Sequence, residues 1–466
     1  MDTEPTPAAA PPRAAPPASS RPQRGDELEL TIDRLAYGGA GVARLDGYVV
    51  FVTGAVPGDR VRAVIGKRKR AYAEARTLEI LAPSPDRVAP LADHPGAPWQ
   101  VLPYERQLEV KAEQVTDALT RIGRLQGFTQ ETIVPAVETW RYRNKLEYSF
   151  GTDPDSGALV CGFHAPGRWD EIVPLTDCRL ASEAANAARE RIVAWCRHQN
   201  LSVYDRRANT GVLRNLVVRE GRRTGQVQAR LVTADGATLD TESLIAAAGD
   251  LDGLLWTQQS SLGETTQGGE TELLAGSERF EEKLGGMTFS ISSEAFFQTN
   301  TEMAERLYEL AIEYARPGGF ERVYDLYCGI GTIGLSIAPR VAEVWGLEIV
   351  PEAIADAINN ARANEIDNAH FYAGDVRLAL RELTEKAGRP DVLIVDPPRS
   401  GLSQKVVRRI IESSPSRIVY VSCNPTTLAP NAAQLVEAGY RLDRVRPVDM
   451  FPQTPHIECV AELVRG

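Results

Sequence analysis

Tyr324-Asp-Leu-Tyr-Cys-Gly-Ile-Gly-Thr-Ile-Gly334 follows an apolar run and opens a helical pattern. Strand, glycine turn and helix in that order start a doubly wound sheet, because glycines let the backbone approach a nucleotide closely. Outward from this stretch the pattern repeats. Strands are expected at Arg322–Leu326, 343–347, 370–372, Val392–Val395 and 417–421, with helical segments between them. Upstream, residues 301–316 read as a helix capped by Thr299, Asn300 or Thr301 and stopped by Pro317-Gly-Gly.

The ends of these strands carry chemistry. Glu348 closes the second, Asp375 the third and Asp396, in Asp396-Pro-Pro-Arg399, the fourth. Any one of them alone is as readily a helix cap or a solvated turn. Three in succession point instead to the carboxyl-end crevice where open α/β sheets bind ligands. The GxGxxG at Gly329 and Gly331 does not by itself separate NAD from S-adenosylmethionine. The fifth strand ends in Val421-Ser-Cys-Asn-Pro-Thr-Thr427, which puts Cys423 where strand opens into loop. A free cysteine is more often a small core hydrophobe. That reading suits Cys328 and Cys459, whereas the Ser, Asn and Pro around Cys423 do not suit a core.

A nucleophilic thiol has no evident role in hydride transfer, which disfavours NAD. It has one in methylating carbon 5 of a uracil ring. That carbon becomes nucleophilic once a thiolate adds to carbon 6; a base must then remove the carbon 5 proton. Glu458, in Pro455-His-Ile-Glu458, is the base expected here, ahead of His456. An unperturbed thiol is only about 3% ionised at pH 7, so the thiolate forms either through a lowered pKa or by local proton transfer.

The chain has 466 residues, enough for two or three domains. Its 43% hydrophobic and 25% charged residues suit a globular protein, and no window of 18 apolar residues suggests a membrane span. Six scattered cysteines without a CxxC argue against disulfides or zinc and fit a reducing cytoplasm. Residues 1–24 are Pro/Ala-rich without an apolar core, so a disordered tail is expected rather than a signal peptide; Asp2 and Glu4 disfavour a transit peptide.

A net charge of −11 excludes indiscriminate nucleic-acid coating. Within it, residues 60–76 hold seven Arg or Lys against Glu74 alone, with Lys67, Arg68, Lys69 and Arg70 consecutive. They lie in a run of short strands and Gly-rich turns that suggests a small barrel. Residues 105–122 show helical spacing. Thr139-Trp-Arg-Tyr-Arg-Asn-Lys-Leu-Glu-Tyr148 reads as a strand with Arg141, Arg143 and Lys145 on one face and aromatics on the other. Leu213-Arg-Asn-Leu-Val-Val-Arg219 is a second such strand. Basic side chains beside aromatics suit RNA; a solvated Arg face is the plainer alternative.

Phe296-Phe-Gln-Thr-Asn300, Asp325-Leu-Tyr-Cys-Gly-Ile-Gly331, Asp396-Pro-Pro-Arg-Ser-Gly401, Val421-Ser-Cys-Asn-Pro-Thr-Thr427 and His456-Ile-Glu458 together resemble the RNA uracil-5-methyltransferase family. Thr271-Glu-Leu-Leu-Ala-Gly276 and Glu282-Lys-Leu-Gly-Gly286 also fit, and the resemblance spans residues 26–466. The Gly-Gly-x-Gly turn, the Val-Pro-Gly-Asp turn and the basic segment resemble a TRAM domain.

The resemblance implies a multidomain chain: a tail at 1–24, an OB-like TRAM barrel at 25–82, a central α+β RNA-contact region at 83–290, and a class I S-adenosylmethionine-dependent α/β domain at 291–466. It implies Cys423 as nucleophile and Glu458 as base. Gln298, Tyr327, Gly329, Gly331, Thr332, Glu348, Asp375 and Asp396 would contact or frame S-adenosylmethionine, although relatives often carry Asn where Thr332 stands. Phe296 would lie near the target base, with Lys67–Arg70, Arg141, Arg143 and Lys145 touching RNA. A TRAM barrel joined to this domain points to 23S rRNA before tRNA; separately, a cytoplasmic monomer is expected. Many relatives hold an iron–sulfur cluster through closely spaced cysteines. Here residues 91–100 have none and Cys178 is left alone, so no cluster is expected; a broad iron–sulfur absorbance band in anaerobically purified protein would overturn that. The competing readings are a catalytically lapsed RNA binder, which would not transfer methyl groups, and a small-molecule methyltransferase, for which the barrel would be superfluous.

Overall fold

The computed structural model describes residues 21–466; residues 1–20 of the expected tail lie outside the described residues. The chain divides into two compact units, one reaching Ala89 and including Val101–Pro103, the other formed by Pro90–Gln100 and Tyr104–Gly466.

The first unit is a barrel-like sheet of β1 (Glu27–Thr31), β2 (Arg34–Leu35), β3 (Gly41–Leu45), β4 (Tyr48–Thr53), β5 (Arg60–Arg68) and β6 (Tyr72–Ala82). Neighbours run β1-β5-β6-β4-β3-β2, and β1 returns against β3. Alternation drives this: Leu30, Val50, Val52, Val61, Ala63 and Ile65 point into one small core. Asp59 fixes the turn before β5 by accepting from Val56 N and Ser84 N, both at 2.8 Å, and from the Arg87 guanidinium.

The second unit opens with α1 (Tyr104–Asp117), which runs on as a π-turn to Ile122, and β7 (Thr129–Gln130). A seven-stranded sheet follows: β8 (Lys145–Thr152), β9 (Leu159–Ala165), β10 (Arg168–Pro174), β11 (Leu213–Glu220), β12 (Val227–Ala234), β13 (Gly253–Gln259) and β14 (Glu270–Gly276), in the order β10-β9-β8-β11-β12-β13-β14. Leu146, Tyr148, Leu216 and Val218 cover one face and pack under α2 (Glu183–His198) and α3 (Thr241–Ala248). A hairpin of β15 (Arg279–Leu284) and β16 (Met287–Ser292) precedes α4 (Thr301–Ala315), which Asn300 caps by accepting from Met303 N.

The last layer alternates β17 (Arg322–Leu326), α5 (Thr332–Ile337), β18 (Glu343–Glu348), α6 (Pro351–Ala363), β19 (Ala369–Ala373), α7 (Val376–Ala387), β20 (Val392–Val395), α8 (Gln404–Ser413), β21 (Arg417–Ser422) and α9 (Pro425–Glu437), then β22 (Tyr440–Val448) and β23 (Glu458–Arg465). Strand order is β19-β18-β17-β20-β21-β23-β22-β7, with β17 to β21 parallel and β23 antiparallel between β21 and β22. The order reverses between β17 and β20, where such sheets open a crevice. The β15–β16 hairpin packs on α6 and shares this layer's core.

A buried ion pair ties α1 to the segment after β22. Lys111 Nζ lies 2.5 Å from Asp449 Oδ1 and donates to Phe451 O at 3.0 Å. Both side chains are fully buried, so removing one leaves an uncompensated charge. Lys111→Ala is expected to lower unfolding stability by about 3–5 kcal/mol, read from urea midpoints. Lys111→Met combined with Asp449→Leu should recover most of the loss.

Candidate active site

The carboxyl ends of the parallel strands gather the expected side chains. The turn after β17 is built by Tyr327 (φ 64°), Gly329 (φ 53°) and Gly331 (φ 84°), all left-handed. Left-handed backbone costs a tyrosine free energy, and such residues cluster at functional sites. A Cβ on Gly329 would meet nothing within 4 Å, so the surface above it is open. Glu348 holds this turn. Its Oε2 accepts from Gly329 N at 3.2 Å, and its Oε1 accepts from Ile349 N and Val350 N.

Cys423 and Glu458 meet through sheet register. β21 and β23 are antiparallel, and their last pair is Ser422 with Cys459. One step further along that register stand Cys423, just past the end of β21, and Glu458, whose charge acts on the thiol. Glu458 is buried at 3% exposure, while Cys423 is partly exposed. Burial, then the charge of Asp396, pushes the Glu458 carboxyl well above its ordinary value. Burial followed by the Glu458 and Asp396 carboxylates pushes the Cys423 thiol up to about 12. Burial alone lifts Asp396 to about 7. Asp325 is also raised to about 7, by burial and by Asp396 and Glu348. Its Oδ2 accepts from Gly334 N at 2.8 Å, whereas its buried Oδ1 has no partner. Among the described residues, Arg399 is a cation that acts on both Cys423 and Glu458.

Arg399 also locks the loops together. Its carbonyl accepts from Asn424 Nδ2 at 2.9 Å, and its Nη2 stands 3.2 Å from His456 Nδ1. Burial and the Arg399 charge lower His456 to about 4, so the imidazole is neutral at pH 7. Neither Asp325 nor Arg399 was given a role from sequence, although both lie inside the motifs quoted above.

Other expected residues are placed differently. Asp375 caps α7, accepting from Arg377 N at 2.9 Å and pairing with the Arg377 guanidinium. The Thr332 hydroxyl donates to Tyr308 OH at 3.2 Å. Gln298 is buried, its carbonyl held by Asn144 Nδ2, while Phe296 two residues earlier is 69% exposed. Lys67, Arg68, Lys69 and Arg70 are all exposed around the β5–β6 turn; Lys67 pairs with Glu74 at 3.6 Å.

The basic strand face expected over 139–148 is not formed. Regular pairing begins at Lys145, and Arg141 is left-handed with φ 53°. Arg141 turns to hold the Asp177 carboxylate at 3.1 and 3.2 Å; Lys145 pairs with Glu147 at 2.7 Å. Arg143 sits 5.9 Å from the Phe451 ring. In the second strand Arg214 and Arg219 are buried on backbone carbonyls rather than presented to solvent.

A family profile described as tRNA (Uracil-5-)-methyltransferase matches residues 277–465, and a TRAM domain profile matches residues 21–78. An RNA methyltransferase of Halalkalibacterium halodurans is 37% identical over 448 residues, 94% of this chain and 97% of that protein. One from Porphyromonas gingivalis is 38% identical over 94% of this chain and all of its own length.

The chain belongs to the RNA uracil-5-methyltransferase family.

A solved structure of the Pyrococcus abyssi tRNA (uracil-54, C5)-methyltransferase with S-adenosyl-L-homocysteine is similar over 94% of this chain and 100% of that one, at TM-score 0.75 and 30% identity. The methyltransferase takes its methyl group from S-adenosylmethionine. Its residues fit that donor: an open left-handed glycine turn, the Glu348 carboxylate beside it, and buried acids short of positive charge. An iron–sulfur cluster does not fit. Near Cys178 stands His94, Nε2 to Sγ 3.3 Å, where a cluster would need about four thiolates.

With Asp396 beside the cofactor, its raised carboxyl would give binding a pH dependence. A cationic ligand favours the ionised acid, so affinity rises as pH climbs through about 7. Calorimetry should show S-adenosylmethionine binding about tenfold more weakly at pH 6 than at pH 8. S-adenosylhomocysteine, whose sulfur is neutral, should show a shallower slope.

Proposed function

We propose that this methyltransferase makes 5-methyluridine in structured RNA, in 23S rRNA before tRNA, through a covalent bond between Cys423 and carbon 6 of the uracil. The observation that carries this reading is the β21–β23 register, which puts one partly exposed thiol opposite one buried carboxylate at the cofactor crevice. S-adenosylmethionine supplies an electrophilic methyl group on a cationic sulfur. Cys423 Sγ adds to carbon 6, and the ring's carbon 5 becomes nucleophilic. After methyl transfer Glu458 takes the carbon 5 proton, the C6–S bond breaks, and the thiol is freed. A thiol at about 12 is ionised in only about one molecule in 10⁵ at pH 7. That favours proton transfer within the site, as the ring binds, over a standing thiolate. Gln298, Tyr327, Gly329, Gly331, Thr332, Glu348, Asp375 and Asp396 frame the cofactor; Phe296, exposed, is free to meet the target base.

The TRAM barrel supplies RNA affinity through Lys67–Arg70, and residues 83–290 add contacts before the catalytic region at 291–466. Replacing those four basic residues with alanine should raise KM for RNA and flatten its salt dependence by about 0.7–0.9 in log–log slope per lost phosphate contact. The protein acts as a cytoplasmic monomer in this reading; light scattering returning a dimer would contradict it. The P. abyssi relative, whose named substrate is tRNA, favours the second reading of the same chemistry. Methyl incorporation into unmodified 23S rRNA and tRNA, compared side by side, decides between them: labelling of tRNA alone would exclude 23S rRNA.

A further inference from the structure

A second polar site lies away from the crevice, on the face of the seven-stranded sheet opposite α2 and α3. Along β8 and β11, Tyr148 and Leu216 face the helices, so their neighbours Ser149 and Asn215 face the other way. A cavity of about 330 Å³ opens there, lined by Glu147, Ser149, His164, Asn215, Glu264 and the loop through Gln267. That is far more room than one structural water fills.

The hydrogen bonds fix what the cavity offers. Asn215 Nδ2 donates to Ser149 Oγ at 3.2 Å, and Ser149 Oγ donates to Glu264 Oε1 at 2.9 Å. His164 Nε2 meets the same carboxylate oxygen at 2.5 Å, which assigns its proton to Nε2. Two buried polar atoms are left over. The acceptor Asn215 Oδ1, on a residue 3% exposed, and His164 Nδ1 have no partner. A buried polar atom without a partner is costly, and both belong to one cavity.

Charge selects the donor. Lys145 neutralises Glu147 at 2.7 Å, and Arg206 neutralises Glu264 at 2.8 Å. Burial would raise Glu264, but the bonds from Arg206, His164 and Ser149 hold it at about 2. No net charge invites a polyamine; a neutral group with several N–H donors fits. The cavity wall is also tied to the active-site loop. Arg230 donates to Thr266 O and to Glu294 Oε1, both at 2.8 Å, and Glu294 lies two residues before Phe296.

We infer that this cavity binds an unstacked nucleobase bearing an exocyclic amino group, supplied by the RNA substrate. The inference rests on the RNA reading above. Adenine, cytosine and guanine bring an amino group with two N–H donors, whereas uracil brings only one ring N–H, so the pocket selects the RNA by a base other than the one methylated.

Histidine-labelled protein gives five ring environments, and His164→Phe identifies the one that matters. Titration with adenosine or cytidine should shift the His164 signals saturably, and uridine at least fivefold more weakly. Asn215→Leu and His164→Phe should each raise KM for RNA about tenfold while KM for S-adenosylmethionine stays put. Equal shifts with uridine, shifts with spermidine instead of nucleosides, or an unchanged KM for RNA in folded variants would each overturn the pocket. Trapping by 5-fluorouridine RNA at saturating concentration separates the two failures. A variant that still forms the adduct leaves uracil methylation standing whatever becomes of the pocket.

Discussion

Cys423→Ala is expected to abolish methyl transfer, by about 10⁴-fold or more, as loss of a covalent nucleophile does in other enzymes. S-adenosylmethionine affinity should change by less than twofold, because in the proposed mechanism the thiol activates the ring and does not hold the cofactor. Exposure supports the choice of this cysteine. Of six cysteines, five are buried and Cys423 alone is partly exposed. Cys328 is packed in the core, and Cys459, in β23, reaches only Ser422 O at 3.7 Å. Replacing Cys328 with alanine should cost stability and leave the chemical step intact. Radiolabelled methyl incorporation into RNA, beside calorimetric cofactor binding, separates the two outcomes.

Glu458→Gln should give the opposite signature on the RNA. Glutamine keeps the shape and removes the base, so addition and methylation proceed while loss of the carbon 5 proton slows by about 10²–10⁴-fold. A methylated RNA–protein adduct should then accumulate on ordinary uridine RNA and survive denaturing electrophoresis. In the wild type the raised Glu458 carboxyl must first give up its own proton. Because Cys423, Glu458 and Asp396 lie within each other's fields, they titrate as a group. Ionised acids are the working forms, so kcat/KM should climb between pH 6 and pH 8.5. A rate that falls over that range would remove Glu458 from the role of base.

The catalytic layer was legible because its signals are local. Each strand is a short apolar run, most of the helices begin at a cap or a glycine turn, and Glu348, Asp375 and Asp396 sit at a strand's end or within two residues of it. Cys423 could be found the same way. Pairing Glu458 with it could not, since an antiparallel register across 34 intervening residues has no local trace; that assignment came from the motif alone. Arg141 to Lys145 shows the converse error. Period-two alternation is the same whether an arginine face meets solvent, RNA or the protein itself. Here Asp177, 36 residues downstream, captures Arg141 and breaks the strand. Arg214 and Arg219 in β11 and Arg230 in β12 also read as strand arginines free to face solvent, yet they are buried on backbone carbonyls of loops far along the chain. Burial also pushes Arg219 down to about 9, helped by Arg230, a sign of how little water reaches it.

Trapping on 5-fluorouridine-substituted 23S rRNA fragments with S-adenosylmethionine tests the central claim most directly. Fluorine at carbon 5 cannot leave as a proton, so the Cys423–C6 bond should persist. The account predicts a retarded protein–RNA band on a denaturing gel, present in the wild type and absent in Cys423→Ala. Absence of an adduct on 23S rRNA and on tRNA alike, or an adduct that survives Cys423→Ala, would contradict it.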